Sequence, residues 1–140
     1  MTGRRVGDEV ADALAARLAG PDGAHVRVVR RRLAPPARLL VLDLTGPGWT
    51  LSLAVADDGA AALAIGGVPL VELDVADDVD GFVETTLLPL LAAMDAGSVA
   101  VEVRRDRRGQ VAAGTVTFAG TPPAGLQPAH RYRAAPGARR

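Results

Sequence analysis

WTLSLAVADDGAAALAIGGVPLVEL, residues 49–73, decides the fold. Trp49, Leu51, Leu53 and Val55 alternate with Thr50, Ser52 and Ala54, the period-two pattern of a half-buried strand. Asp57-Asp58-Gly59 punctuates the run as a turn. AALAI (61–65) and VPLVEL (68–73) flank Gly66-Gly67, and a two-residue glycine loop suits the primed turn of a hairpin. Strands joined by such short links pair antiparallel.

The flanks extend the same pattern. HVRVVRRRL (25–33) is rich in Val and Arg, and its Arg side chains suit an edge strand guarded against unwanted pairing. Ala34-Pro35-Pro36 turns the chain. RLLVLDLT (38–45) is apolar on both faces and reads as a central strand, closed by the turn Gly46-Pro47-Gly48. Before this set, Val6, Val10, Leu14 and Leu18 recur every fourth residue, which predicts a helix from about 5 to 19. Asp8, Glu9 and Asp12 suit the positive end of its dipole, and Gly20-Pro21 ends it.

After the set, Val79, Phe82, Val83, Leu87, Leu90, Leu91 and Met94 make a second helical stripe that stops at Gly97. Pro89 lies inside it and predicts a kink or break near Leu88. SVAVEVRR (98–105) and QVAAGTVTF (110–118) form a hairpin around the turn Asp106 to Gly109. The order is helix, five strands, helix, two strands. The expected fold is α+β: a mostly antiparallel sheet of about 5–7 strands with both helices packed on one face. This element order is loosely similar to that of type III secretion chaperone-like folds, a likeness of order carried by no motif. Residues 1–120 are expected to make one domain, and 121–140, rich in Pro, Ala, Gly and Arg, a disordered basic tail.

Composition narrows the chemistry. The chain has 140 residues and no Cys, so disulfides, thiolate metal sites and cysteine nucleophiles are excluded. A chain of this length buries roughly 68% of its unfolded surface and needs no metal to hold it. MTGRRVGDEV carries charge where a signal peptide needs an apolar core. No apolar run approaches the roughly 20 residues that span a bilayer. The expected location is the cytoplasm. All sixteen basic residues are Arg, Asn is absent and Ile65 is the single Ile, a bias towards GC-rich codons that suggests a bacterial source.

The net charge is zero, but the charges come in blocks. Residues 1–38 carry eight Arg and four acids, residues 39–103 eleven acids and no base, and residues 104–140 eight Arg and one acid. Such blocks neutralise one another within a fold or form opposite surface patches.

The acid concentrates in DVADDVDGFVE (74–84), which resembles a calcium loop. With Gly81 as the sixth loop residue, Ala76 and Leu87 occupy the positions of the first and the bidentate ligand. The better reading is a helix start, with Asp77 or Asp78 accepting from the open N–H groups and Asp80 and Glu84 in the first turns. Asp77, Asp80 and Glu84 share a helical face and remain an alternative weak divalent-ion site or unrecognised enzyme site. His25 and His130 have no partners at metal-ligand spacing. Ser52 and Ser98 lie in no nucleophile elbow, and no phosphate-cradling loop is present. No catalytic residue, cofactor or metal is assigned.

Arg27, Arg30, Arg31, Arg32 and Arg38, then Arg104, Arg105, Arg107 and Arg108, and the tail's Arg131, Arg133, Arg139 and Arg140 make an Arg-driven nucleic-acid binder the second alternative. Single-strand recognition also wants exposed aromatic rings, and Trp49, Phe82 and Phe118 sit on apolar faces. The expected function is therefore non-enzymatic binding of a protein partner through an acidic surface of Asp57, Asp58, Asp77, Asp78, Asp80 and Glu84. A chaperone-like or toxin-neutralising (immunity-type) role towards a basic partner fits that surface.

Overall fold

The computed structural model describes residues 5–33 and 38–134. Its elements are α1 (Val6–Leu18), a short 3₁₀ turn (Pro21–Gly23), then β1 (Arg27–Arg32), β2 (Leu39–Gly46), β3 (Trp49–Ala56), β4 (Ala60–Ile65) and β5 (Val68–Asp74). A second helix follows in three parts: α2 (Val79–Phe82), a π-helical turn (Val83–Leu87) and α3 (Leu88–Asp95). β6 (Val99–Arg105), β7 (Val111–Phe118) and β8 (Ala129–Arg133) complete it. The fold is α+β and every strand pair is antiparallel, with helix, five strands, helix, strands in the expected order.

The strands make two sheets, β1-β2-β3-β4-β5 and β6-β7-β8, where a single sheet was expected. The division falls where the second helix interrupts the hairpin series. Gly114 of β7 packs over β5, where a Cβ would lie 2.5 Å from the Val68 side chain. The small sheet therefore packs against β5 rather than extending it by hydrogen bonds. Leu40, Leu42, Leu44, Leu51, Leu53, Val55, Leu63 and Ile65 from one face of the large sheet form a single core. Val10 and Leu14 of α1, Leu87 and Leu90 of the second helix, and Val116 and Phe118 of β7 close over them. Among the described residues, no helix is long and apolar enough to cross a membrane.

Local sequence explains the edges of these elements. Gly66 and Gly67 have φ of 57° and 85°, the paired positive values that a two-residue primed turn requires. Asp106 accepts from the N–H groups of Arg108 at 2.8 Å and Gln110 at 3.0 Å, and Gly109 has φ of 80°, so the β6–β7 turn closes as its Asp-x-x-Gly spacing predicts. β1 stands at the sheet edge, with Arg side chains on both faces.

The expected kink at Pro89 takes the form of a π-helical turn. Pro89 has no N–H to give the Thr85 carbonyl four residues earlier. The helix widens there, and the Leu88 N–H reaches back to the Val83 carbonyl. The orphaned Thr85 carbonyl accepts instead from the Ala124 N–H at 3.2 Å, and the buried Thr86 hydroxyl donates to the Ala124 carbonyl at 2.8 Å. Both backbone groups of Ala124 are thus held by the helix. Leu126 is buried beside it.

That docking corrects the expected disordered tail from 121 onward. Ala124 is held by the second helix, and Ala129–Arg133 pairs with β7 in the register Gly114↔Tyr132. Only the last part of that tail, 135–140, lies outside the described residues, as do residues 1–4 and 34–37, the last including the turn expected at Ala34-Pro35-Pro36.

Replacing Thr86 by Val leaves the Ala124 carbonyl without its donor and is expected to cost about 1–3 kcal/mol in urea unfolding. Ending the chain at Gly120 removes Leu126 and both Ala124 bonds, with an expected loss of at least about 3 kcal/mol. A truncated chain that unfolds at the wild-type midpoint would contradict this account of the segment.

Candidate functional site

The acidic residues are gathered from two separate parts of the chain. Asp57 and Asp58 occupy the β3–β4 turn, and Asp77 and Asp78 the link from β5 to α2. The Val75 N–H donates to the Gly59 carbonyl at 3.0 Å, and Ala60 pairs with Asp74, so turn and link meet at one end of the large sheet. Asp80 follows in the first turn of α2, exposed.

Part of this acid shapes the backbone. The Asp78 side chain accepts from the Gly81 N–H at 2.9 Å and caps α2, as a helix start requires. Gly81 is bare because a Cβ would collide with that carboxylate. Asp58 accepts from the Ala60 N–H at 3.1 Å and Asp74 from the Ala76 N–H at 3.0 Å. Among the described residues, Asp57, Asp58, Asp74, Asp77, Asp78 and Asp80 take part in no ion pair.

Glu84 is different. It is exposed on the π-helical turn and pairs with Arg17 of α1, tying the two helices together. Asp77, Asp80 and Glu84 do not converge, and among the described residues no three His, Asp or Glu side chains stand where they would hold a metal ion. The alternative divalent-ion site loses its geometry.

The first Arg block is largely neutralised at home. On the core-side face of β1, Arg30 pairs with Asp12 at 3.3 Å and Arg32 with Asp8 at 2.5 Å, both on α1. On the other face Arg31 pairs with Asp43 at 2.7 Å, and the Ser52 hydroxyl donates to the same carboxylate at 2.7 Å. The hydrogen bonds from Arg31 and Ser52 hold the Asp43 carboxyl below the usual carboxylate range.

The third block faces outward. Arg104 and Arg133 flank Ala113 in one row across the small sheet, and Arg131 lies beside Thr115. None of the three is in an ion pair among the described residues. The β6–β7 turn adds Arg105, Arg107 and Arg108 around a concavity that Gln110 and Tyr132 also line. Val111 beside that turn touches the Gly67 end of β4, so the basic end stands opposite the acidic one, about 20 Å away along six strand residues.

A third cluster has no trace in the local sequence. The Asp95 carboxylate at the end of α3 meets His25 Nε2 at 2.6 Å and accepts from the Trp49 indole N–H at 2.9 Å. The three residues are 24 and 46 positions apart, and only packing brings them together. Trp49 is buried, so it belongs to the core, as its place in the stripe with Leu51 and Leu53 predicts. Histidine and carboxylate are paired as in a base and its orienting acid, but His25 has no hydroxyl partner among the described residues. The cluster ties β3, α3 and the entry to β1 together.

Burial pushes the Asp95 carboxyl up, yet the hydrogen bonds from His25 and Trp49 outweigh it and leave the carboxyl lowered. A carboxyl that is more acidic folded than unfolded contributes stability above its unfolded value, about 3.9. That contribution disappears as pH falls through the folded value. Asp95→Asn is therefore expected to destabilise the protein at neutral pH, with the difference from wild type shrinking below about pH 4. Asp43→Asn is expected to behave alike. Chemical denaturation across pH measures both, and a difference that stays constant into acid would refute the assignment. No protein-family model matches this chain, nor does any curated protein or solved structure, so its function is to be inferred from this geometry.

Proposed function

We propose that the chain works by binding a protein partner rather than by catalysis, and that its acidic end receives a basic segment of that partner. What supports this reading is the gathering of Asp57, Asp58, Asp77, Asp78 and Asp80 from two chain segments without any ion pair among the described residues. Of the first block, Arg17, Arg30, Arg31 and Arg32 are engaged with Glu84, Asp12, Asp43 and Asp8, and Arg5 and Arg38, next to Val6 and Leu39 at this end of the sheet, form no ion pair with these acids among the described residues. Unpaired surface carboxylates raise the association rate of a cationic partner and fix its orientation. A chaperone or toxin-neutralising role needs this kind of recognition. Glu84, already held by Arg17, contributes to the fold more than to the surface.

Among the described residues, Asp57, Asp77 and Asp80 hold no backbone group by their side chains, so they are removable without disturbing a cap. The variant with all three changed to Asn is expected to match wild-type stability to within about 0.5 kcal/mol. It is also expected to lose the partner that the wild-type chain captures from its own cell extract. Unchanged capture by the variant would sink this reading.

The row Arg104–Ala113–Arg133, with Arg131 beside it, favours a second reading, in which a polyanion such as nucleic acid lies along the small sheet. Tyr132 pairs with Gly114 on the opposite, inward side and offers no stacking platform there. Gel shifts with single- and double-stranded DNA and RNA at low salt separate the two. The protein-binding reading expects no complex. A complex lost on changing Arg104, Arg131 and Arg133 to Ala would replace it.

A further inference from the structure

The face of the large sheet that turns away from the core carries Asp43, Thr45, Thr50 and Ser52 towards the β2–β3 turn, but beyond them it is not built for water. Antiparallel sheets solvated on one side carry polar residues there. Here β1 presents Val29, 43% exposed, and Leu33, 36% exposed, follows it on the same side. The Leu33 N–H continues the pairing to the Leu39 carbonyl at 2.8 Å. The outward positions of β4 are all Ala, so the middle of the face is flat.

The strand register sets charge at the two margins of this apolar surface. Arg31 pairs with Val41, Val41 with Ala54, Ala54 with Ala62, and Ala62 with Glu72. One row across five strands thus runs from a cation through three apolar residues to an anion. Asp43 engages the Arg31 Nε, and no partner holds its terminal nitrogens among the described residues. Glu72 is exposed and has no partner among the described residues either.

A row with this pattern is complementary to its own reversal. Two sheets laid face to face about a two-fold axis along β3 put Arg31 of each copy over Glu72 of the other, with Ala54 against Ala54 on the axis. We propose that a second copy of this chain covers the face, forming an isologous dimer as two aligned sheets with paired Arg31–Glu72 contacts at both margins. Charge complementarity selects this occupant, because both charges needed for the contact are already at matched levels of one chain. The rotation that sets β1 over β1 would instead bring Arg31 against Arg31 and Glu72 against Glu72. Five strands spaced by about 4.8 Å give a face about 20 Å wide, at the small end of specific interfaces, so the association belongs to the weak, reversible class.

Sedimentation equilibrium of the full chain from about 10 μM to about 1 mM tests it. The wild type is expected to pass from monomer to dimer in that range. Glu72→Arg sets like charges against each other twice and is expected to weaken association at least about tenfold. Ala62→Arg, which buries a charge between the sheets, is expected to abolish it. Glu102→Arg makes the same charge change on β6 of the small sheet and is expected to leave the dimer intact. Thermal melts matching wild type establish that each variant is folded. A wild type monomeric throughout overturns the proposal. So does a dimer indifferent to both Glu72→Arg and Ala62→Arg, which places the interface elsewhere, or one lost equally in Glu102→Arg, which makes the effect general charge.

Discussion

Pro89 is the constraint that organises the second half of the molecule. A proline inside a buried helix removes one donor and crowds the preceding turn, an interior defect worth about 3 kcal/mol where nothing answers it. Here two things answer it. The backbone widens into a π-helical turn, and the freed Thr85 carbonyl is given to Ala124. The loop after β7 is thereby fixed along the helix, with Thr86 holding its other backbone group and Leu126 buried below. Since that loop leads directly into β8, the third strand of the small sheet depends on a hydrogen bond that a regular helix would not have had to spare.

This dependence marks the limit of what the residues reveal on their own. The hairpin from Ala60 to Asp74, the β6–β7 hairpin and α1 are legible because each carries its own signal: paired glycines, an Asp-x-x-Gly turn, an apolar residue every fourth position. β8 carries little. His130 and Tyr132 alternate with Arg131 and Arg133, a period of two, but in a stretch whose Pro, Ala and Gly content reads as unstructured. It is a strand because β7 offers it an edge and Gly114 leaves space opposite Tyr132, both tertiary facts. The Asp95 cluster is illegible for the same reason, its three members lying on different elements. Of the acidic residues, sequence reading identifies the helix cap at Asp78 correctly in kind, but not that Arg17 holds Glu84.

The charge blocks show how sequence segregation becomes spatial segregation. The first Arg block is interleaved with acids on the neighbouring helix and strand, so it closes into pairs that join α1 to β1 and β1 to β2. From the middle block Asp43, Glu84 and Asp95 are drawn into such pairs, with Arg31, Arg17 and His25, while Asp57, Asp58, Asp77, Asp78 and Asp80, and Arg104, Arg131 and Arg133 of the third block, form no ion pair among the described residues. Asp57, Asp58, Asp77 and Asp78 fall in the turn and link at one end of the long strands, where the Asp78 side chain also starts a helix. The arginines fall on a sheet that packs at the other side of β5, reaching the opposite end. Surface pairs contribute little stability singly, commonly about 0–1 kcal/mol. The consequence of this arrangement is therefore less for folding than for the direction from which charged molecules approach.

The two faces of the large sheet carry the same lesson at finer scale. Successive residues of a strand point to opposite sides, so each strand encodes two surfaces at once. On β3 and β4 one set, Leu51, Leu53, Val55, Leu63 and Ile65, is large and fills the core. The other set is small, and on β2 it includes Val41, which is buried although it lies on the face away from the helices. At the outward positions of β4, Ala60, Ala62 and Ala64, a solvated face would favour Thr, Lys or Glu, since they combine strand propensity or edge protection with solubility. Alanine offers neither; what it offers is a surface that another flat surface can approach closely. The same alternation that gives the core its large side chains leaves the opposite face smooth, and the margins of that smooth face are where the register has set Arg31 and Glu72.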